Sequence, residues 1–169
     1  MEVLHQEFYG NSILNWAIAV GILILSFVVV KMLYWIFSNV IRRLTSKTKT
    51  NLDDVLIDKL EKPLTYLVLI LGYWISIHYL VFKEEVELVL ENVAYFLLVI
   101  DVTAMLSRIV DALITEIIMP ISEKSDSSFD NQLIPVIQKG VRSIIWILGI
   151  IIGLDNIGFD ITAMIAGLG

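Results

Sequence analysis

The chain has 169 residues, of which 57% are hydrophobic and 18% are charged, and its formal net charge is −6. A mean hydropathy of +0.82 exceeds what a soluble core of this size can bury, so the composition indicates an integral membrane protein. The lack of cysteine excludes disulfides and thiolate chemistry. The acidic balance excludes nucleic acid as a partner. Because no catalytic or metal-binding motif is present, we expect a protein that is not an enzyme and has no cofactor or metal.

Several apolar segments are long enough for a membrane helix, which needs about 20 residues. The second opens with Pro63, which we place in the first turn of a helix. A further segment begins after the connection 155–160 and reaches only residue 169, so we expect it to be the truncated start of a fifth helix. The sequence therefore predicts an all-α integral membrane bundle of four helices plus this start; the four are residues 13–41, 63–82, 88–119 and 131–154.

Basic residues mark the cytoplasmic side of a membrane protein. A cluster of four follows the first helix, and further lysines and arginines flank the connection between the third and fourth helices. We therefore expect a multi-pass protein of the cell membrane, with the N-terminus outside and any continuation after Gly169 in the cytoplasm. The cluster consists of Arg42, Arg43, Lys47 and Lys49. It either binds anionic lipid headgroups or only signals topology, and the sequence favours neither interpretation over the other.

Two parts of the chain match each other at an offset of 77 residues. The segment 52–57 (LDDVLI) matches 129–134 (FDNQLI), and Lys62 and Gly72 match Lys139 and Gly149. Both copies precede a helix that we expect to run from the inside to the outside. Two helical hairpins of the same design explain the match, although an acidic cap followed by a basic residue and an apolar run is also a common helix start.

The third segment carries charged residues within an apolar run. Asp101 lies roughly 20 Å along the helix from Leu88, deep in the hydrocarbon, and an ionisable residue at this depth is a candidate functional group. One interpretation is an intramembrane acid that relays protons or ions in half of a secondary transporter. The other, which we favour, is a carboxyl that is neutral or hydrogen-bonded to a neighbouring helix. Arg108 and Asp111, three residues apart, are within range to pair with each other.

Small residues are the main feature of the last part of the chain. Gly149 and Gly153 share one face of the fourth helix, where they permit close approach of another helix backbone. The start of the fifth helix is also rich in glycine and alanine. On their own, such patterns most often indicate ordinary helix packing rather than a pore; the residues at this start are Ala163, Ala166, Gly167 and Gly169.

Residues 129–169 resemble the segment that precedes and opens the pore helix in the small-conductance mechanosensitive channel family (MscS-like). The resemblance rests on the turn Asn156-x-Gly158-x-Asp160, followed by the Gly/Ala-rich helix start, and on the preceding FDNQL and KGVR motifs. It implies that the turn is a gating turn and that Ala163, Ala166, Gly167 and Gly169 pack the pore helix. The outer helices of this family vary in number, so residues 1–127 resemble it only in topology and the Asp53-Asp54 motif.

The resemblance also implies a function. We expect residues 1–127 to form peripheral, lipid-facing sensor helices and residues 128–169 to form the pore-adjacent helix, outer turn and pore-helix start. The whole channel would be a homo-oligomer, a heptamer in this family, that opens on osmotic downshock to release ions and small solutes. Since the family's remaining pore helix and cytoplasmic vestibule are not in the 169 residues, we expect this part alone to be non-conducting.

Overall fold

The computed structural model of the chain describes residues 7–41, 52–123, 128–162 and 166. It consists almost entirely of helices, preceded by a two-residue strand pair, β1 and β2. Two five-residue π-helical turns continue α1 and α3, at Phe37–Ile41 and Ile114–Ile118. The elements are β1 (Glu7–Phe8), β2 (Asn11–Ser12), α1 (Ile13–Ile36), α2 (Leu52–His78), α3 (Glu84–Leu113), α4 (Met119–Glu123) and α5 (Ser128–Asn156).

Four of these helices are long and apolar enough to cross a membrane, judged by length and composition over the described part of the chain. This confirms the predicted all-α membrane bundle. The candidate spans are Ile13–Asn39, Val55–His78, Glu84–Ile121 and Leu133–Asn156.

The long helices pack mainly on their neighbours in the chain. The extensive contacts join α1 to α2, α2 to α3, and α3 to α5. Few side chains are buried as a result, and many large apolar residues are exposed on both faces, among them Ile24, Phe27, Leu106 and Ile147. In water such a surface would be unstable, whereas lipid tails solvate it well. The arrangement is therefore suited to contact with the bilayer along most of its length.

The second helix begins 11 residues earlier than the apolar pattern indicated. We predicted that Pro63 occupies the first turn, but α2 starts at Leu52 and encloses this proline. A proline inside a helix has no N–H to donate to the carbonyl four residues earlier, which here belongs to Lys59. The structure supplies another donor to that carbonyl, as described below, so the helix continues through the proline.

The interhelical contacts repeat at the same 77-residue offset as the sequence. A Cβ atom added to Gly72 would lie 2.5 Å from Ser26 Cβ on α1. Gly149 likewise touches the side chain of Thr103 on α3, and Thr103 and Gly149 are Ser26 and Gly72 shifted by 77 positions. Each pair of helices thus meets where a small hydroxyl residue faces a glycine.

Other pairs along the same interfaces follow the repeat. The Ser76 hydroxyl donates a hydrogen bond to the carbonyl of Ala19 at 2.9 Å, which joins α2 to α1. The corresponding positions are Gly153 and Phe96, and a Cβ on this glycine would lie 3.0 Å from the phenyl ring. The two π-helical turns also lie 77 residues apart. The hairpin α1–α2 and the hairpin α3–α5 are therefore two copies of one packing design, and the prediction that Gly149 and Gly153 permit close helix approach is confirmed.

Candidate functional site

Asp101 lies on α3 with only 6% of its surface exposed. Its Oδ2 atom is buried and has no hydrogen-bond partner among the described residues. The favoured prediction was a carboxyl that is either neutral or hydrogen-bonded to a neighbouring helix. Oδ2 makes no such hydrogen bond among the described residues, and the neutral form stays a prediction. Asp101 instead lines a cavity between α2 and α3. Arg108, seven residues later on α3, lines the same cavity.

Arg108 compensates for the proline inside α2. Its Nη1 atom donates a hydrogen bond to the main-chain carbonyl of Lys59 at 3.0 Å, the carbonyl that Pro63 leaves without a helical donor. Pro63 is fully buried. Because a partly buried carbonyl without a donor is costly, this bond fixes the position of α3 against the proline-containing turn of α2.

Asp111 joins α3 to α5 and does not depend on Arg108 for a partner. Gln138 Nε2 donates a hydrogen bond to Asp111 Oδ1 at 3.1 Å, and Arg142 Nη1 lies 3.7 Å from Asp111 Oδ2. Arg108 and Asp111 were expected to be within range of each other, but each has a partner on a different helix. Spacing along one helix could not show this, because the partners come from α2 and α5.

The turn after α5 ends the helix through Gly158. This glycine has φ +87°, its N–H donates to the carbonyl of Asp155 at 3.1 Å, and the N–H of Phe159 donates to the carbonyl of Leu154 at 3.1 Å. These two bonds form a Schellman motif, in which a glycine takes the left-handed conformation just after the helix. The Asn156 side chain donates back to the carbonyl of Ile152 at 3.3 Å.

Beyond the turn, the chain becomes helical again beside the end of α5. Residues 161, 162 and 166 are helical, and Asp160 directly precedes them with an exposed side chain. Ala166 lines a cavity of about 540 Å³ together with Thr162 and, from α5, Ile151 and Ile152. Residues 161, 162 and 166 therefore lie beside the end of α5. The other small residues predicted to pack the pore helix, Ala163, Gly167 and Gly169, lie outside the described residues, as does the predicted lipid-binding cluster Arg42, Arg43, Lys47 and Lys49.

The open end of the hairpin α1–α2 is held by contacts that the sequence did not reveal. Tyr9 and Gly10 both have positive φ and form the turn between β1 and β2. Asn11, only 2% exposed, accepts a hydrogen bond from the N–H of Val81 at 2.6 Å and donates to its carbonyl at 2.7 Å. The strand pair is thereby fixed to the α2–α3 connection. A Tyr-Gly-Asn sequence was the available signal for this turn.

Over the described residues, no group of three or more histidine, aspartate or glutamate side chains could hold a metal ion. Near the outer end predicted for the second helix, His78 Nε2 lies 3.4 Å from Glu91 Oε1 of α3. This is an exposed contact between helices and not a ligand set.

The fold and these contacts define a multi-pass helical membrane protein built of two similar hairpins and a turn into a further helix. Comparison with known proteins identifies its relatives. The chain is 28% identical over 166 residues to the small-conductance mechanosensitive channel MscMJ of Methanocaldococcus jannaschii, covering 98% of this chain and 47% of the relative. It is 24% identical to the large-conductance mechanosensitive channel MscMJLR of the same organism, covering 99% of this chain and 47% of that protein.

A third relative is the uncharacterized MscS family protein YhdY of Bacillus subtilis, 24% identical over 99% of this chain and 45% of its own length. These matches extend along nearly all of the chain and agree with the resemblance to the MscS-like family. The chain spans about half the length of the curated relatives it matches. No protein-family model and no solved structure matches it.

Proposed function

We propose that this chain is the tension-sensing part of a mechanosensitive channel that opens on osmotic downshock and releases ions and small solutes. The observation that carries the proposal is the similarity of nearly the whole chain to two proteins named as mechanosensitive channels. These relatives are channels rather than enzymes, and they give no support to the alternative of a secondary transporter half.

The lipid-facing sensor consists of residues 1–127, and its broad exposed apolar surface supports this role. Membrane tension favours whichever conformation occupies more area in the bilayer, and it shifts the population only by the difference between two states. Helices that pack mainly on chain neighbours can tilt without breaking a common core. The hairpin α1–α2 is the element that we expect to change tilt.

Residues 128–169 transmit this tilt to the pore. The turn containing Asn156, Gly158 and Asp160 connects α5 to the following helix, and its Schellman geometry gives that connection a defined direction. Ala163, Ala166, Gly167 and Gly169 pack the pore helix against its neighbours. Because Gly158 adopts a conformation that a β-branched residue rarely takes, Gly158→Val should change the tension needed for opening.

The channel is a homo-oligomer in the cell membrane, and the family resemblance implies seven subunits. Its N-terminus is outside, and the chain after Gly169 continues in the cytoplasm. Arg42, Arg43, Lys47 and Lys49 then lie at the inner leaflet, where anionic headgroups attract basic side chains.

The proposal is tested by expressing the natural gene that encodes this chain in a bacterial host without mechanosensitive channels of its own. Survival after osmotic downshock should rise, and Asp101→Asn should survive equally well because conduction does not need this acid. A transporter would instead show saturable solute uptake that Asp101→Asn abolishes. Failure of the gene to protect the host, together with such uptake, would reject the channel.

A further inference from the structure

The cavity that contains Asp101 lies between α2 and α3 and has a volume of about 320 Å³. This volume is at the lower end of the range of small-molecule sites, which is roughly 300–1,000 Å³. Most of its wall is aliphatic, and the charged residues in the wall are Asp101 and Arg108, seven positions apart on α3; the lining includes Leu69, Ile70, Leu97, Ile100, Asp101 and Arg108.

The cavity wall contains an acceptor that none of the described residues satisfies. Asp101 is 6% exposed and therefore 94% buried, and its Oδ2 atom lacks a hydrogen-bond partner among the described residues. Arg108, the nearest basic residue along the cavity wall, directs Nη1 to the carbonyl of Lys59. A buried acceptor normally has a partner, so the arrangement indicates a donor that comes from outside the described part of the chain.

The cavity opens between the exposed sides of α2 and α3. Tyr66 of α2 is 53% exposed and Leu97 of α3 is 44% exposed, and both line the cavity. Asp101 lies 17 residues after Glu84, the start of α3, which is about 25 Å along the helix axis. In a bilayer this mouth opens at the level of the acyl chains, so an occupant enters from the lipid and not from water.

These features restrict the chemistry of the occupant. Water is held poorly where the walls are apolar, because a buried water needs two to four polar partners. A hydrocarbon chain alone fits the walls but offers no donor to Asp101, and an ionised anionic head offers no donor either. We propose that the cavity is a binding site for a single-chain amphiphile whose head donates a hydrogen bond to Asp101, either an alcohol or an alkylammonium ion.

The test uses the product of the natural gene in lipid nanodiscs and three photoreactive probes with the same ten-carbon chain, an alcohol, an ammonium ion and the plain alkane. Mass spectrometry measures saturable labelling of peptides from α2 and α3. At least one of the two donor probes should label about tenfold or more strongly than the alkane, because a hydrogen bond to a charged group contributes about that factor. The ratio of alcohol to ammonium labelling identifies which head the site prefers.

Variants separate the carboxylate from the cavity. Asp101→Leu should reduce the donor probes to the level of the alkane, whereas Glu116→Gln, which removes an acid of the same chain segment that does not line the cavity, should leave labelling unchanged. Leu97→Trp fills the cavity and should abolish labelling by all three probes. Equal labelling by alkane and donor probes, no saturable labelling by any probe, or an unchanged pattern in Asp101→Leu would overturn the proposal.

Discussion

Substitution of Gly149 by alanine tests the contact that defines the second hairpin. A Cβ at this position would meet the Thr103 side chain, whereas a Cβ at Gly140 of the same helix would have no atom within 4 Å. Gly140→Ala is therefore the matched control, and it should stabilise the protein by about 0.5–1 kcal/mol through its helix preference.

At Gly149 the stabilisation from the higher helix propensity of alanine is opposed by overpacking against Thr103. Inserting a methyl group into a close-packed contact costs about 1–3 kcal/mol. Since Thr103 Cβ would be 2.8 Å from the new Cβ, one of the helices must shift. Gly149→Ala should therefore be less stable than Gly140→Ala by about 1–3 kcal/mol.

The assay is reversible unfolding in mixed micelles, followed by circular dichroism. Thr103→Gly is also needed, to remove the side chain that the new Cβ at position 149 would meet. A change to alanine would remove only the hydroxyl and methyl groups, and the remaining Cβ of residue 103 would still clash. In the double variant Gly149→Ala, Thr103→Gly, the two effects should not add, and a favourable coupling of about 1–3 kcal/mol is expected. Equal stabilities for Gly149→Ala and Gly140→Ala, or additive effects in the double variant, would refute the close contact between α3 and α5.

Three other changes test separate contacts, those at Arg108 and Gly158 in the same unfolding assay and that at Asn11 by hydrogen exchange. Arg108→Met should destabilise the protein by about 1–3 kcal/mol because it leaves the partly buried carbonyl of Lys59 without a donor. The loss should be much smaller in a Pro63→Ala background, where the helix supplies its own N–H, and an equal loss in both backgrounds would contradict this bond. Asn11→Ala should remove both hydrogen bonds to Val81 and speed hydrogen exchange of that amide by about tenfold, whereas unchanged exchange would show that the strand pair does not hold the α2–α3 connection. Gly158→Asn should be tolerated better than a change to alanine, because asparagine accepts the left-handed conformation more readily, and the reverse order would exclude the helix-ending geometry.

The helices could be predicted because their signal is local. An apolar run of about 20 residues specifies a membrane helix without knowledge of its neighbours, and the 77-residue match between Gly72 and Gly149 was visible in the sequence. The start of α2 at Leu52 was not predicted, because a proline usually favours a helix start. Pro63 is tolerated inside the helix because Arg108 donates a hydrogen bond to the carbonyl of Lys59, which lies 49 residues away in the sequence.

The polar contacts of the candidate site were less predictable for the same reason. Spacing placed Asp111 within pairing range of Arg108 on its own helix, yet its partners Gln138 and Arg142 come from α5. Gly158 was recognised from the resemblance, and its positive φ supplies a local physical reason for glycine at that position. The contacts of Ser26 and Thr103 could not be predicted from the sequence around these residues, because each contact depends on a glycine of another helix.

The central claim, that this protein responds to membrane tension, is tested most directly by current recordings from liposomes. The product of the natural gene is purified, reconstituted into liposomes without other proteins, and held in excised patches under graded suction. The open probability should rise steeply with suction and return to zero when suction is released. Patches that contain the protein but stay silent up to the tension at which the membrane ruptures would contradict the account.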